Sequence, residues 1–172
     1  SLPSRGLGDV YKRQLYDSIV VTVPHVADCH HFGTGPLRKD LPVIVDIFPT
    51  HNHTHYCGDC TRTVVNGDVS DVVRDMHACV VRANAAGCAA LQPGTTGQAV
   101  HEAVAAVIRE GGYSMGAPTS ERDEEWIGMR HGTGHGIGLD VHEPILLATG
   151  GGEILEREVF TVEPGLYSAI YG

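Results

Sequence analysis

The sequence predicts an α+β domain in which strands are grouped before and after two helices. Three observations predict it. Runs of β-branched and apolar residues bounded by turn residues cluster between residues 16 and 67, apolar residues at helical spacing fill 70–112, and β-rich segments return between 130 and 171. At 172 residues, 42% hydrophobic and 19% charged, the chain has the composition of an ordinary globular domain and enough length to bury a core.

The elements follow in order. YDSIVVTVP (16–24) is rich in β-branched residues and bounded by Pro24, so it reads as a strand. LPVIVDIFP (41–49) is a continuous apolar run interrupted only by Asp46, the pattern of a buried strand that carries a charge. HYCGDCTRTVVNG (55–67) continues in β-formers and closes on the turn dipeptide Asn66-Gly67. From Ser70, a suitable N-cap, apolar residues keep helical spacing as far as Pro93-Gly94. TTGQAVHEAVAAVIREGGY repeats the pattern, with Val100, Val104, Val107 and Ile108 on one face and a stop at Gly111-Gly112. EREVFTVEPGLYSAIY (156–171) is again β-rich and holds Glu163 in its middle.

RHGTGHGIGLDVHEP (130–144) places His131 and His135 four apart, the spacing of ligands on one helix face. Yet glycines occupy 132, 134, 136 and 138, and each interior glycine costs a helix about 1 kcal/mol relative to alanine. The helical zinc-protease pattern also needs glutamate directly after its first histidine, where this chain has Gly132. The glycines instead predict a strand or turn with positive φ and close backbone approaches, aiming imidazoles into a crowded site.

Charge and cysteine usage narrow the function. A formal charge of −9, with none of the 12 Lys and Arg in a run, argues against nucleic acid or an anionic membrane as partner. No apolar stretch approaches the roughly 20 residues of a membrane span. Five irregularly spaced cysteines suggest reduced thiols and a cytoplasmic location. Residues 1–14 contain no secretory apolar core and resemble translated adapter sequence, so they read as a non-native leader, with 15–172 as one partial domain cut at both ends.

A carboxylate in an apolar segment is costly unless neutralised or paired. Asp46 in VIVDIF, Asp59 in CGDCTRT and Glu163 in FTVEPG each read alone as strand-end acids. Together, with a glycine-set histidine cluster between them, they suit manganese, iron, cobalt or zinc at a carboxylate-rich site with one imidazole. Two metals about 3.5 to 4 Å apart could share such carboxylates.

VIVDIF, GDCTRT, HGTGHGIGLDVHEP and FTVEPGLY, in this order across about residues 16–172, resemble the pita-bread metallopeptidases, and most the Xaa-Pro aminopeptidase and prolidase branch. The resemblance implies a curved antiparallel sheet flanked by helices, here incomplete at both ends, with two divalent metals in its cleft, manganese first and cobalt, zinc or iron as alternatives. It implies Asp46, Asp59, His135 and Glu163 as metal ligands, Asp59 bridging, and Glu163 also as acceptor of a proton from the attacking water. His142 matches a catalytic histidine that hydrogen-bonds the peptide. His131 and Tyr167 match substrate-contacting residues. An upstream histidine against the scissile peptide is His30 or His31, with His30 favoured. The substrates implied are short peptides with proline second, and homo-oligomer formation is left open.

The chain departs from the family pattern in two places. A fifth ligand, a glutamate beyond EPGLY, is not reached, so the 172-residue chain is expected to hold its second metal weakly and to lack peptidase activity; robust turnover would refute this. The Asp46–Asp59 linker is slightly long, and the alternation of His51, His53, His55 and Cys57 would put four ligand-type residues on one strand face, against the plainer reading of an exposed polar hairpin. CGDC (57–60) copies a redox dithiol without a thioredoxin-like context, and Cys29, Cys79 and Cys88 read as buried small hydrophobes. The competing functions are a metal-free pita-bread binding module and a creatinase-like C–N hydrolase; such relatives usually lose ligand acids, which this chain retains.

Overall fold

The computed structural model describes residues 13–14, 18–28, 31–118 and 125–172. Its strands are β1 (Arg13–Gln14), β2 (Ile19–Thr22), β3 (Pro42–Ile47), β4 (Pro49–Thr50), β5 (Cys60–Val65), β6 (Ser114–Met115), β7 (Ile127–Met129), β8 (Gly134–Gly136), β9 (Glu143–Leu147) and β10 (Tyr167–Ser168). Helices α1 (Asp71–Ala90) and α2 (Gly97–Glu110) lie between β5 and β6, the α+β order read from the sequence. Residues Arg13 and Gln14, within the stretch set aside as a leader, pair with Thr50 and Pro49.

β3 is the middle strand of an antiparallel β2–β3–β5 sheet, in which Asp46 stands between Ile19 and Thr61. Ile19, Val21 and Val26 form a small core there, with Ile44 and Phe48 packed against it. The Asn66-Gly67 turn follows β5, and Gly67 takes φ 124°, which L side chains rarely adopt.

Both helices begin on caps. The Ser70 hydroxyl accepts from the Val73 N–H at 3.3 Å and the Thr96 hydroxyl from the Ala99 N–H at 3.1 Å. Val100, Val104 and Ile108 are fully buried, as the spacing predicts, and Val107 is partly buried. The face of α1 formed by Met76, Cys79 and Ala83 packs with Val104, Ile108, Met129 and Leu166 in the main core. At Gly87 a Cβ would meet Val162 and Val104 side chains at 2.8 and 2.9 Å, so α1 lies close against the segment that carries Glu163. The Asn84 amide donates to the Val162 carbonyl at 2.6 Å and ties the two together.

β8 and β9 form an antiparallel pair, and residues 159–163 run antiparallel to β8 on hydrogen bonds from Ile137, Thr161 and Glu163 amides to Val159, His135 and Thr133 carbonyls. The one parallel pairing among the described strands is β6 with β7.

One open reading is decided and one expectation needs correction. The chain from His51 to Asp59 is a hairpin with a turn at 52–54, closed by a Thr50–Cys57 bridge and the His51 N–H to Tyr56 carbonyl bond. Strand alternation therefore does not apply, and His53 and His55 are exposed. Cys88 is exposed on α1, while Cys79 is buried as expected; Cys29 lies outside the described residues.

Candidate metal centre

Antiparallel register brings the first two acids together. Asp46 lies opposite Thr61, whose hydroxyl donates to its Oδ1 at 2.8 Å, and Asp59 directly precedes β5. Burial raises the Asp46 pKa; the Thr61 bond opposes this, and the Asp59 and Glu163 charges add to it. Like charges crowded in this way favour a cation among them.

β8 supplies the imidazole. Nδ1 of His135 donates to the Gly136 carbonyl at 3.0 Å, which turns Nε2 toward the acids, 3.1 Å from Glu163 Oε1 and 3.5 Å from Asp59 Oδ2. The His135 and Asp59 side chains are each 9% exposed, so this cluster sits largely out of water. Ligand atoms of Asp59, His135 and Glu163 all lie within 4.8 Å of one another, and Asp46 stands just outside that group, in reach of their charges.

Burial alone would lower the pKa of the His135 ring. Hydrogen bonds to Asp59, Glu163 and the Gly136 carbonyl, with the Glu163 charge, outweigh it and raise the value from 6.5 to about 10. Burial likewise pushes Glu163 up, but its bonds to His135 and Thr161 hold the carboxyl below its usual range. In the cation-free protein the raised His135 value contributes stability that is complete below 6.5 and is lost as pH rises through about 10.

The glycines act through closeness, not through φ. None of Gly132, Gly134, Gly136 and Gly138 has positive φ, contrary to expectation. A Cβ at Gly134 would lie 2.1 Å from the Thr161 carbonyl oxygen, so the absence of a side chain there lets the strand bearing Glu163 lie against β8.

Thr61 and Thr161 are site residues the sequence reading missed. The Thr161 hydroxyl donates to Glu163 Oε1 at 2.7 Å and accepts from the His135 amide at 3.0 Å. The signal was present: Thr161 and Glu163 are two apart on an extended segment and so share a face. Thr161→Val is expected to weaken Mn²⁺ binding by about ten- to hundredfold, the usual cost of losing a group that orients a ligand; titration calorimetry checks this.

The centre opens on a cavity of about 580 Å³ whose wall includes Asp46, Asp59, His135 and Glu163 with His131, His142 and Tyr167, and apolar Ile19, Phe32, Phe48 and Val141. The His131 Nδ1 donates to the Gly132 carbonyl at 2.7 Å, so in the neutral ring Nε2 accepts the Tyr167 hydroxyl proton at 2.8 Å. His142 is exposed, and its ring stands 4.2 Å from that of His135. His31 is not brought to the wall. It accepts the Gly33 amide at Nδ1 and packs on His25 at 4.3 Å, and Phe32 lines the cavity instead. His30 lies outside the described residues.

Among the described residues, Asp59, His135 and Glu163 form the one group of three or more His, Cys, Asp or Glu side chains close enough to share an ion. The His51–Cys57 hairpin makes no such group, and Cys57 and Cys60 are unpaired.

Comparison with known proteins identifies the family. The model of metallopeptidase family M24 matches residues 4–172. The chain is 35% identical over 151 residues to a probable dipeptidase PepE of Mycobacterium tuberculosis, covering 87% of this chain and 37% of that protein. It is 32% identical over 163 residues to Xaa-Pro aminopeptidase 1 of Streptomyces coelicolor, covering 88% of this chain and 33% of that one. Among solved structures, a prolidase from Pyrococcus furiosus superposes with a TM-score of 0.80 at 26% identity, over 94% of this chain and 44% of that chain. The chain thus spans between a third and somewhat under half the length of these relatives, and over that span its fold is the pita-bread fold. From the family match, the identities and the shared architecture, the chain belongs to metallopeptidase family M24.

Proposed function

We propose that the chain carries the core of a peptidase that holds two divalent cations, manganese first, and hydrolyses the bond before proline in short Xaa-Pro peptides. The observation that supports it most is the convergence of Asp59, His135 and Glu163 beside Asp46 on one cavity wall. Three carboxylates with one imidazole whose outer nitrogen is fixed by a carbonyl form a donor set suited to such ions. Ions held there would polarise the scissile carbonyl and lower the pKa of water.

The chain's own residues do the remaining work. Glu163, held ionised at neutral pH and fixed by Thr161, is placed to accept a proton at its carboxylate from the attacking water. His142 and the His131–Tyr167 pair line the same cavity and offer hydrogen-bonding groups to a bound peptide, and Ile19, Phe48 and Val141 offer apolar surface to its side chains. Four described cysteines are unpaired, in keeping with a reducing compartment such as the cytoplasm. Among the described residues no helix is long and apolar enough to cross a membrane.

The test is a panel of Xaa-Pro and Xaa-Ala peptides given to the full-length parent protein that contains this chain, loaded with Mn²⁺, Co²⁺ or Zn²⁺. Cleavage confined to Xaa-Pro bonds and abolished by chelation supports the reading. A protein that binds no metal and leaves the panel untouched overturns it. Because a cation at His135 Nε2 must displace a proton whose pKa is about 10, Mn²⁺ affinity is expected to rise about tenfold per pH unit above neutrality. Calorimetry at several pH values checks this, and a flat profile contradicts it.

A further inference from the structure

His101 on α2 reaches the segment that carries His135 and is not among the residues that line the cavity. It is half-buried, and its Nδ1 lies 3.0 Å from the hydroxyl oxygen of Thr133. Thr133 is fully buried and lies midway between His131 and His135. Three segments meet on it: its amide donates to the Leu147 carbonyl at 2.7 Å, its carbonyl accepts the Glu163 amide at 2.8 Å, and its hydroxyl pairs with His101. A buried hydroxyl deprived of its partner must rotate or shift its backbone to find another. Any such shift moves the carbonyl that sets the position of Glu163 and the strand that bears His135.

Docking of α2 does not need this bond. Val100, Val104, Ala105 and Ile108 are fully buried and hold the helix by apolar contact, and Thr96 caps its first turn. The polar contact between His101 and Thr133 therefore stands apart from the packing of the helix.

We propose that His101 is a positioning residue: through Thr133 it fixes the backbone from which His135 and Glu163 project, and so sets the affinity of the centre for a divalent cation and the turnover it supports. The inference rests on the metal-centre reading above.

The test compares His101→Leu, which fills the space without a hydrogen bond, with His101→Asn, whose amide falls where Nδ1 stood, and with Thr133→Val. Mn²⁺ affinity by titration calorimetry, the melting temperature of the metal-free protein, and kcat and KM on an Xaa-Pro peptide are read for each in the full-length parent protein. Expected are an affinity loss of about ten- to hundredfold in His101→Leu and Thr133→Val, a lower kcat with little change in KM, and recovery of both in His101→Asn. The metal-free melting temperature should fall by only several degrees, the cost of one stranded buried hydroxyl, and the Leu-Val double variant should be no worse than either single one. Wild-type Mn²⁺ affinity and kcat in His101→Leu overturn the proposal, as does a loss that follows a large drop in melting temperature and is not recovered by asparagine. If the wild-type protein binds no Mn²⁺, the metal-centre reading fails with it; if wild type binds and His101→Leu binds equally well, only the positioning role fails.

Discussion

Replacement of His135 by alanine is expected to abolish cation binding at the centre and, in the full-length parent protein, the proposed peptide hydrolysis with it. His135 is the one nitrogen donor in the Asp59–His135–Glu163 group, and its loss leaves carboxylates facing one another across the gap. Losing a ligand outright should cost more than the about hundredfold upper range for losing a group that merely orients one. The metal-free protein should suffer too. There the raised pKa keeps the ring protonated between two acids, and removing one partner of a buried ion pair costs about 3 kcal/mol or more. Mn²⁺ titration, steady-state rates and a melting curve check the three effects together.

Gly134→Ala is expected to cause the largest loss of stability among the glycine variants of this stretch. The new Cβ would lie 2.1 Å from the Thr161 carbonyl oxygen and 2.8 Å from its carbon, so backbone must move on one side or the other. Overpacking of this kind costs about 1–3 kcal/mol. That corresponds to a fall in melting temperature of roughly 2–4 °C per kcal/mol at this size. Displacing Thr161 also carries Glu163 away from His135, so cation binding should fall together with stability. Gly138→Ala is the control, because its Cβ would meet only the carboxyl end of Glu143, which can swing aside. Melting curves and Mn²⁺ titrations of the two variants separate the cases.

Local signals explain what could be read from the chain. Ser70 and the Gly111-Gly112 pair bound the two helices as read, because caps and breakers act on their own neighbours. Asp46 stood out because a charge in a six-residue apolar strand has few explanations. The two ends of the site were harder. Glu163 meets His135 because residues 159–163 lie against β8, a pairing set by the contact of Gly134 with Thr161 and by α1 packing on Val162. Periodicity carries no trace of either contact. The plainer reading of His51–Cys57 as an exposed polar hairpin holds because the turn at 52–54 removes the strand on which period two has meaning. His31 was drawn to the site by sequence position, whereas its Nδ1 is taken by the Gly33 amide beside it. The partnership of His101 with Thr133 joins residues 32 apart and has no local signature.

The most direct measurement of the central claim is an anomalous difference map from crystals of the protein grown with Mn²⁺. The account predicts density among the side-chain heads of Asp46, Asp59, His135 and Glu163, within direct coordination distance of their N and O atoms. Crystals in which those heads point apart, or in which the manganese signal lies elsewhere or is missing, would contradict it.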